Sequence, residues 1–252
     1  DLYDESNGVW TVSERKYINR KNRGIKEAQG EYISFLDIDD TLVSDFLERF
    51  ICHFEKNVDI VIAGYHVVRK NKKVLKQEAN VTLEKIDYLK KVLRGKYGWE
   101  LWAKVYRREL FDEPMYIPCH LRIGEDATVY MQLVARSCKV KIINEALYNY
   151  IQYPSSASHQ RSVTLAEETL QAAFYIDHLL KKESFYQEIR DEIDAMYLLF
   201  YSNSTRKAFL RLNHPLIYQV YQEHYSLRAL KILPLFKSIY ISLSLLLRKT
   251  LS

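Results

Sequence analysis

The chain has 252 residues, 48% of them hydrophobic, 27% charged and 13% aromatic, with 7 glycines and 5 prolines. That balance excludes a disordered or low-complexity chain and predicts a globular protein of one or two domains with a substantial core. Its 37 Lys and Arg against 32 Asp and Glu leave a net charge of +5, a mild excess that suits work near phosphate groups or an anionic membrane but identifies neither.

Cys52, Cys119 and Cys138 are odd in number, widely spaced and without a CxxC pair. They are expected to be buried thiols in a reducing compartment, which points to the cytoplasm. The first residue is Asp1 and no signal peptide opens the chain, so it reads as a fragment or a processed piece.

In chain order, residues 9–13 suit a short strand and residues 17–29 a basic helical stretch closed by Gly30. Tyr32 to Leu36 is an apolar run expected to form a buried strand, and it drives straight into Asp37, Asp39 and Asp40. Phe46, Leu47, Phe50, Ile51 and Phe54 recur at helical spacing, which predicts an amphipathic helix over 44–55. Residues 59–68 are strongly β-prone, and RKNKK at 69–73 reads as a solvated hairpin tip before a return strand.

A helix follows over 83–94. WELWAKVYRRELF then supplies a strand ending near Tyr106 and a short helical turn. Residues 125–136 read as helix, and 140–151 as extended. This alternation predicts an α/β sheet covered on both faces. From about residue 160 the character changes, and helices are expected over 165–182, 185–201 and 215–225. The division is therefore a catalytic domain over 1–160 and a C-terminal helical region over 161–252.

Capping of the next helix by Asp39 or Asp40 would explain one or two of the three acids. Three carboxylates at the end of a strand repel one another, and a bound cation is the usual reason that such a cluster persists. Strand ends are also where open α/β sheets take ligands.

Two families resemble this stretch. FLDIDDTLV is similar to the opening motif of haloacid dehalogenase-type phosphatases, whose first Asp is a nucleophile and whose second is an acid, but the later residues that family needs are not evident. Asn22-Arg23-Gly24-Ile25, Ala28, Gly30-Glu31-Tyr32-Ile33, Phe35 and Asp37-Ile38-Asp39-Asp40 together resemble the family-two glycosyltransferases of the GT-A fold. The likeness continues through Trp102 to Phe111, Ile117-Pro118, Gly124-Glu125-Asp126 and Leu147 to Tyr150. It covers roughly residues 1–160 in the expected order, and several blocks in series are far more specific than one.

This resemblance implies a GT-A-like (Rossmann-like) mixed sheet flanked by helices, followed by the C-terminal helical region. It implies a metal-dependent, inverting hexosyltransferase that moves a sugar from a nucleotide-sugar donor to a saccharide or lipid-linked acceptor in bacterial capsule, exopolysaccharide or cell-surface glycan synthesis. Asp37 and Asp39 would form the Asp-x-Asp pair that meets Mn2+ or Mg2+, with Asp39 the direct ligand and Asp37 nearer the ribose. Asn22 would contact the donor, and Asp126 would be the catalytic base. Asp40, Trp102, Lys104, Glu125 and Tyr150 would line the substrate cleft, with Asp40 alternatively capping a helix. His159 and Arg161 follow a Ser-rich turn that suits an exposed loop.

The family's opening strands, with their Asp-Asp-Gly-Ser type turn, have no counterpart. DLYDESNG resembles the helix after that turn, so the fold is expected to be truncated at its N-terminus, and a catalytically silent fragment is one alternative. Ile151 stands where the family often has Arg, and Arg20-Lys21-Asn22 where it has Ala-Arg-Asn. Residues 227–251 are the most apolar stretch, interrupted by Pro234 and Lys237, and read as a cationic amphipathic segment lying peripherally on the cytoplasmic face of the inner membrane. Packing on the catalytic domain or in a homo-oligomer is the alternative. No nucleic-acid partner is expected.

Overall fold

The computed structural model describes residues 3–4, 9–10, 20–70, 72–116, 121, 123–153, 163–208, 219 and 222–249. A small antiparallel pair, β1 (Tyr3–Asp4) and β2 (Val9–Trp10), precedes helix α1 (Arg20–Glu27). The main sheet has seven strands: β3 (Tyr32–Ser34), β4 (Thr41–Leu42), β5 (Val58–Arg69), β6 (Lys72–Lys76), β7 (Val81–Glu84), β8 (Lys104–Arg107) and β9 (Lys139–Ile151). The path through it runs β3-β8-β5-β9-β4.

The two long strands carry the sheet. β5 and β9 lie parallel over nearly their whole lengths, and each has different partners along its two halves. β5 pairs with β8 through Ile60 to Ile62 and then with β6 through Tyr65 to Arg69. β9 takes β7 at Lys139 to Ile142 and β4 at Tyr148 and Asn149. Antiparallel pairing of β3 with β8 brings the carboxyl ends of β3, β5 and β9 to one edge, together with the start of β8.

Both faces are covered, as the alternation of strands and helices predicts. On one face lie α3 (Lys85–Leu93) and α4 (Glu125–Arg136), and behind them α5 (Val163–Leu180) and α6 (Arg190–Ala208). Tyr88, Leu89, Val92 and Leu93 show why α3 docks there: their spacing puts four large side chains on one stripe. Burying each such side chain stabilises the fold by about 1.5–3 kcal/mol. One continuous apolar cluster runs from Ile33 and Ile60 through these helices to Ile241, and an Arg94–Glu192 ion pair ties α3 to α6. On the opposite face α2 (Phe46–Ile51) seats Phe46 and Phe50 against Val61, Val105 and Leu147.

Several expectations are corrected. β3 is not a buried strand; Ile33 alone is buried, while Ser34 and Leu36 are exposed. α2 is shorter than 44–55, and it leaves Leu47 and Ile51 exposed instead of on its inner stripe. Cys52 and Cys138 are exposed free thiols, not buried ones. Cys119, Ile117-Pro118, the Ser-rich turn with His159 and Arg161, and most of 209–221 lie outside the described residues.

The C-terminal stretch is broken at Pro234 into α7 (Leu227–Ile232) and α8 (Leu235–Lys249). Ser226 caps α7 by accepting from the Ala229 N–H at 3.0 Å. Ala229, Leu230, Leu233 and Ile241 join the core, and the Lys237 ammonium donates to Asn203 at 2.8 Å. The other side of α8 leaves Leu235, Phe236, Ile239 and Leu243 exposed. Among the described residues no helix is long and apolar enough to cross a membrane.

Candidate active site at the sheet edge

The acid segment joins strands at opposite borders of the sheet. Ser34 ends β3 beside β8, and Thr41 opens β4 beside β9, so residues 35–40 cross the edge where the parallel strands end. Phe35 bridges to Trp102 on the way. The Asp40 N–H then donates to the Asp37 carbonyl at 3.1 Å, closing a turn with Ile38 and Asp39 between them. Asp37 and Asp39 are exposed, and Ile38 is fully so.

Asp40 turns the other way. It is only 7% exposed, and its carboxylate accepts from the Tyr148 hydroxyl at 2.6 Å and the Ile151 N–H at 2.7 Å. Burial pushes its pKa above the usual carboxylate range, the two hydrogen bonds oppose that rise, and the charge of Asp39 adds to it. The Tyr148 hydroxyl also accepts from the Asp37 N–H at 3.3 Å, while burial and the adjacent carboxylate of Asp40 raise its own pKa. Asp40 is therefore a clamp between the acid turn and the end of β9. The expectation of three acids crowded at one point is corrected to two projecting acids and one buried acceptor. Nor does Asp40 cap α2, whose N-cap position is Asp45 and whose cap has no side-chain hydrogen bond.

The start of β8 forms the second side of the site. Ala103 has φ 55°, a left-handed value that costs a residue with a Cβ about 1–2 kcal/mol, and its carbonyl is held by the Ala63 N–H at 3.0 Å. Residues two apart on a regular strand share a face. The kink breaks that rule and sends Trp102 and Lys104 to opposite faces. Trp102 stacks on Tyr148 and Tyr150 at centroid distances of 4.9 and 5.2 Å, with Tyr65 edge-on at 4.7 Å.

Lys104 enters the helical face and is 4% exposed. Its ammonium donates to the Glu100 carbonyl, stands 3.8 Å from the Glu100 carboxylate and lies 4.9 Å over the Tyr130 ring. Burial pushes its pKa down, and the negative charges of Glu100 and Asp126 oppose that shift. Asp126 thus acts electrostatically on the start of β8 from the first turn of α4, where the helix dipole also favours acids. Gly124 sets this position. It has φ 93°, and a side chain there would strike Ala172 of α5. The Thr128 hydroxyl donates to the Gly124 carbonyl at 3.0 Å and tightens the same turn.

The fold accordingly gathers Asp37, Asp39, Trp102, Lys104 and Tyr150 at one edge, with Asp126 coupled through Lys104 and Glu125 beside it on α4. Asn22 lies in α1, but its side chain is outside the described residues. Sequence reasoning singled out Tyr148 with Tyr150 as strand residues facing substrate or core, but missed Glu100, the Ala103 kink and the bond of Tyr148 to Asp40. A Glu four residues before a Lys was the available signal for Glu100, whereas the alternation of Tyr148 with Tyr150 does not reveal a partner 108 residues away.

Residues 11–122 match the family described as glycosyl transferase family 2. That match spans less than half of the chain. Over 162 residues it is 30% identical to an uncharacterized glycosyltransferase, EpsJ, of Bacillus subtilis, covering 61% of this chain and 47% of that protein. It is also 25% identical over 221 residues to the cholesterol galactosyltransferase of Borreliella burgdorferi, covering 81% of this chain and 61% of that protein. The chain thus spans about half to three fifths of the length of these relatives. A crystal structure of Staphylococcus aureus TarS 1-349 in complex with UDP-GlcNAc shares the fold, with a TM-score of 0.62 at 15% identity over 89% of this chain and 67% of that one. The mixed sheet with flanking helices is thus a GT-A-type architecture. Nothing in the structure or these similarities supports the phosphatase reading of FLDIDDTLV.

Among the described residues no group of three or more His, Cys, Asp or Glu side chains is placed to hold a metal. Asp37 and Asp39 are two exposed carboxylates on one turn. A hard divalent cation bound by one or two carboxylates takes its remaining ligands from phosphate oxygens and water, and this donor set fits that pattern.

Proposed function

We propose that this chain is part of a family 2 glycosyltransferase that moves a sugar from a nucleotide-sugar donor to a saccharide or lipid-linked acceptor, with inversion at the sugar carbon, in bacterial surface-glycan synthesis. The observation that carries this reading is the meeting, at one sheet edge, of two projecting acids from the 37–40 turn with a buried lysine that senses Asp126. UDP-GlcNAc bound to TarS supports the donor class, and the PP-undecaprenol acceptor in the name of a Campylobacter jejuni glucosyltransferase, 26% identical over 210 residues, supports the acceptor class.

Asp39 and Asp37 would hold Mn2+ or Mg2+, which when bound supplies positive charge against the leaving diphosphate. Asp126 would accept the proton of the attacking acceptor hydroxyl. A single base and a direct displacement imply inversion. Lys104 places its ammonium beside Glu100 and over the Tyr130 ring of α4, and the negative charge of Asp126 acts on it. Tyr148 and Asp40 keep the acid turn folded back on β9, so that only Asp37 and Asp39 face outward.

The exposed row Leu235, Phe236, Ile239 and Leu243 supports peripheral attachment to the cytoplasmic face of the membrane. Arg228 and Lys231 lie exposed nearby, and no acidic residue occurs from His224 to Ser252, which suits an anionic lipid surface. Sedimentation with phosphatidylglycerol vesicles, lost in a Phe236→Ser/Ile239→Ser double variant, is the expected result. Self-association of the unaltered chain without vesicle binding would instead assign the row to a protein contact.

The central assay is chromatography of a nucleotide-sugar panel with Mn2+ or Mg2+ and acceptor. Metal-dependent release of nucleoside diphosphate with a glycosylated product is expected. Absence of release from every donor would leave a catalytically silent family member.

A further inference from the structure

Away from the acid turn, charge is spread unevenly along the chain. No acid occurs between Asp59 and Glu78, where Arg69, Lys70, Lys72, Lys73 and Lys76 supply five positive charges. None occurs from His224 to Ser252 either, where Arg228, Lys231, Lys237, Arg248 and Lys249 supply five more. With those ten set aside, 27 Lys and Arg remain against 32 Asp and Glu. Two cation-only segments thus stand out from a body that is itself acidic.

The first of them is the β5–β6 hairpin. Its register sets Arg69 opposite Lys72, Val68 opposite Lys73 and Tyr65 opposite Lys76, so the charges run from the tip down the outer strand. β6 pairs with β5 alone. Lys70, Lys72, Lys73 and Lys76 are exposed, and among the described residues none of them meets a carboxylate. Arg69 differs: its guanidinium donates to Gln152 at 2.6 Å and ties the hairpin to the end of β9. Leu75 stands 48% exposed between Lys73 and Lys76. The expectation of a solvated tip accounts for the lysines but not for a leucine set among them.

Both segments adjoin the loop at residues 95–100. Lys76 and Gln77, at the foot of the hairpin, share the lining of a cavity of about 280 Å3 with Lys96 and Tyr97 of that loop, and Trp102 and Lys104 border it too. Two residues beyond Tyr97, Trp99 meets Phe200 of α6 edge-on at 4.9 Å. The next residue of α6, Tyr201, shares a hydrogen bond with Ser244 of α8 at 3.4 Å. The loop therefore has the hairpin on one side and the α6–α8 contact on the other, and α8 leaves Leu235, Phe236, Ile239 and Leu243 exposed.

Resting on the membrane attachment proposed above for α8, we propose that the β5–β6 hairpin is a second docking surface for an anionic bilayer, with its lysines on lipid phosphates and Leu75 in the interface. A single weak membrane signal gives only reversible attachment, and a second one makes it stable. Lysines near an anionic lipid surface each raise affinity roughly fivefold. A soluble polyanion would use the charges and leave Leu75 in water, whereas a bilayer takes both. The hairpin extends the carboxyl end of β5, the edge at which the acid turn lies. Docking there would hold the sheet edge close to the lipid surface, which suits a lipid-linked acceptor.

The test is co-sedimentation with mixed phosphatidylglycerol and phosphatidylcholine vesicles, with phosphatidylcholine alone as the uncharged control. It compares the unaltered chain, a Lys70→Gln/Lys72→Gln/Lys73→Gln triple variant and Leu75→Ser. All four side chains are exposed, so the thermal midpoint should hold in both variants. The triple variant is expected to bind the anionic vesicles at least about tenfold more weakly, and Leu75→Ser several-fold more weakly. Affinity of the unaltered chain should fall as salt rises above about 0.1 M. Unchanged binding by the triple variant, with binding lost in Phe236→Ser/Ile239→Ser, overturns the hairpin assignment and keeps that of α8. No binding of the unaltered chain to any vesicle removes both. Equal binding to the two kinds of vesicle, or capture by dextran sulfate that the triple variant loses while Leu75→Ser leaves vesicle binding intact, also overturns the hairpin as a bilayer contact.

Discussion

The acid turn at residues 37–40 and the start of β8 at residues 100–104 border the same sheet edge, yet they handle charge in opposite ways. Asp37 and Asp39 stand in solvent on a turn whose tip is a fully exposed isoleucine. Lys104 is buried, and its ammonium is met by a carbonyl, an aromatic ring and a carboxylate from the chain itself. An exposed acid pair costs little to keep and is ready for a ligand. A buried lysine costs desolvation and persists only because its surroundings are built for it. Asp40 shows both behaviours meeting in one motif: it adjoins Asp39 in sequence but belongs energetically with the buried set.

The sharpest test lies at the acid whose charge acts on the start of β8. Asp126→Asn is expected to lower turnover by 10²–10⁴-fold, as loss of a general base does, while donor binding by calorimetry stays measurable. Full retained turnover would remove Asp126 from that role. Next in size is Asp39→Asn, expected to lower kcat/KM by on the order of 10²-fold and to weaken Mn2+ binding measured by titration in the presence of nucleoside diphosphate. Its thermal midpoint should hold, since the side chain is exposed.

Lys104→Met should behave differently from both. It exchanges a buried cation for an apolar chain of similar length, so folding stability is expected to stay within about 1 kcal/mol or to rise, while turnover drops about tenfold through loss of the charge facing Asp126. A large loss of stability with normal specific activity would make Lys104 a packing residue only.

Asp40→Asn gives the smallest effect on turnover and a clear one on stability. The two donors meet different oxygens of the carboxylate, so an amide turns its NH2 toward either the Tyr148 hydroxyl or the Ile151 N–H, and a loss of roughly 1–3 kcal/mol is expected in urea denaturation. The pH dependence has a definite sign. Because burial raises the Asp40 pKa in the folded state, its titration favours the fold below the unfolded-state carboxylate pKa, and that contribution is lost as pH rises through the folded value. The stability gap between the unaltered chain and Asp40→Asn should therefore narrow from acid toward neutral pH. A gap that widens instead would contradict the burial of Asp40.

Much of the architecture was legible in the chain. The limits of α4 at 125–136, the strand ending near Tyr106 and the long extended run to Ile151 follow from local periodicity and from residue types whose preferences hold in most contexts. The acid cluster was legible as a candidate site because its residues are close in sequence. What local pattern could not show was burial. Leu47 and Ile51 carry the apolar spacing of an inner face yet remain exposed, and Cys52 and Cys138 lie on the surface, since exposure depends on which neighbours arrive from elsewhere in the chain.

By itself, then, the order of residues determined the elements, the mixed α/β class and the candidate acids Asp37, Asp39 and Asp126, because helix and strand periods and short motifs are local properties. The tertiary structure decided which acid is a clamp, which way Trp102 and Lys104 point, and that a cavity opens beside them. Those outcomes depend on contacts such as Asp40 with Tyr148, 108 residues apart, and on a left-handed Ala103 that only the packed sheet holds in place.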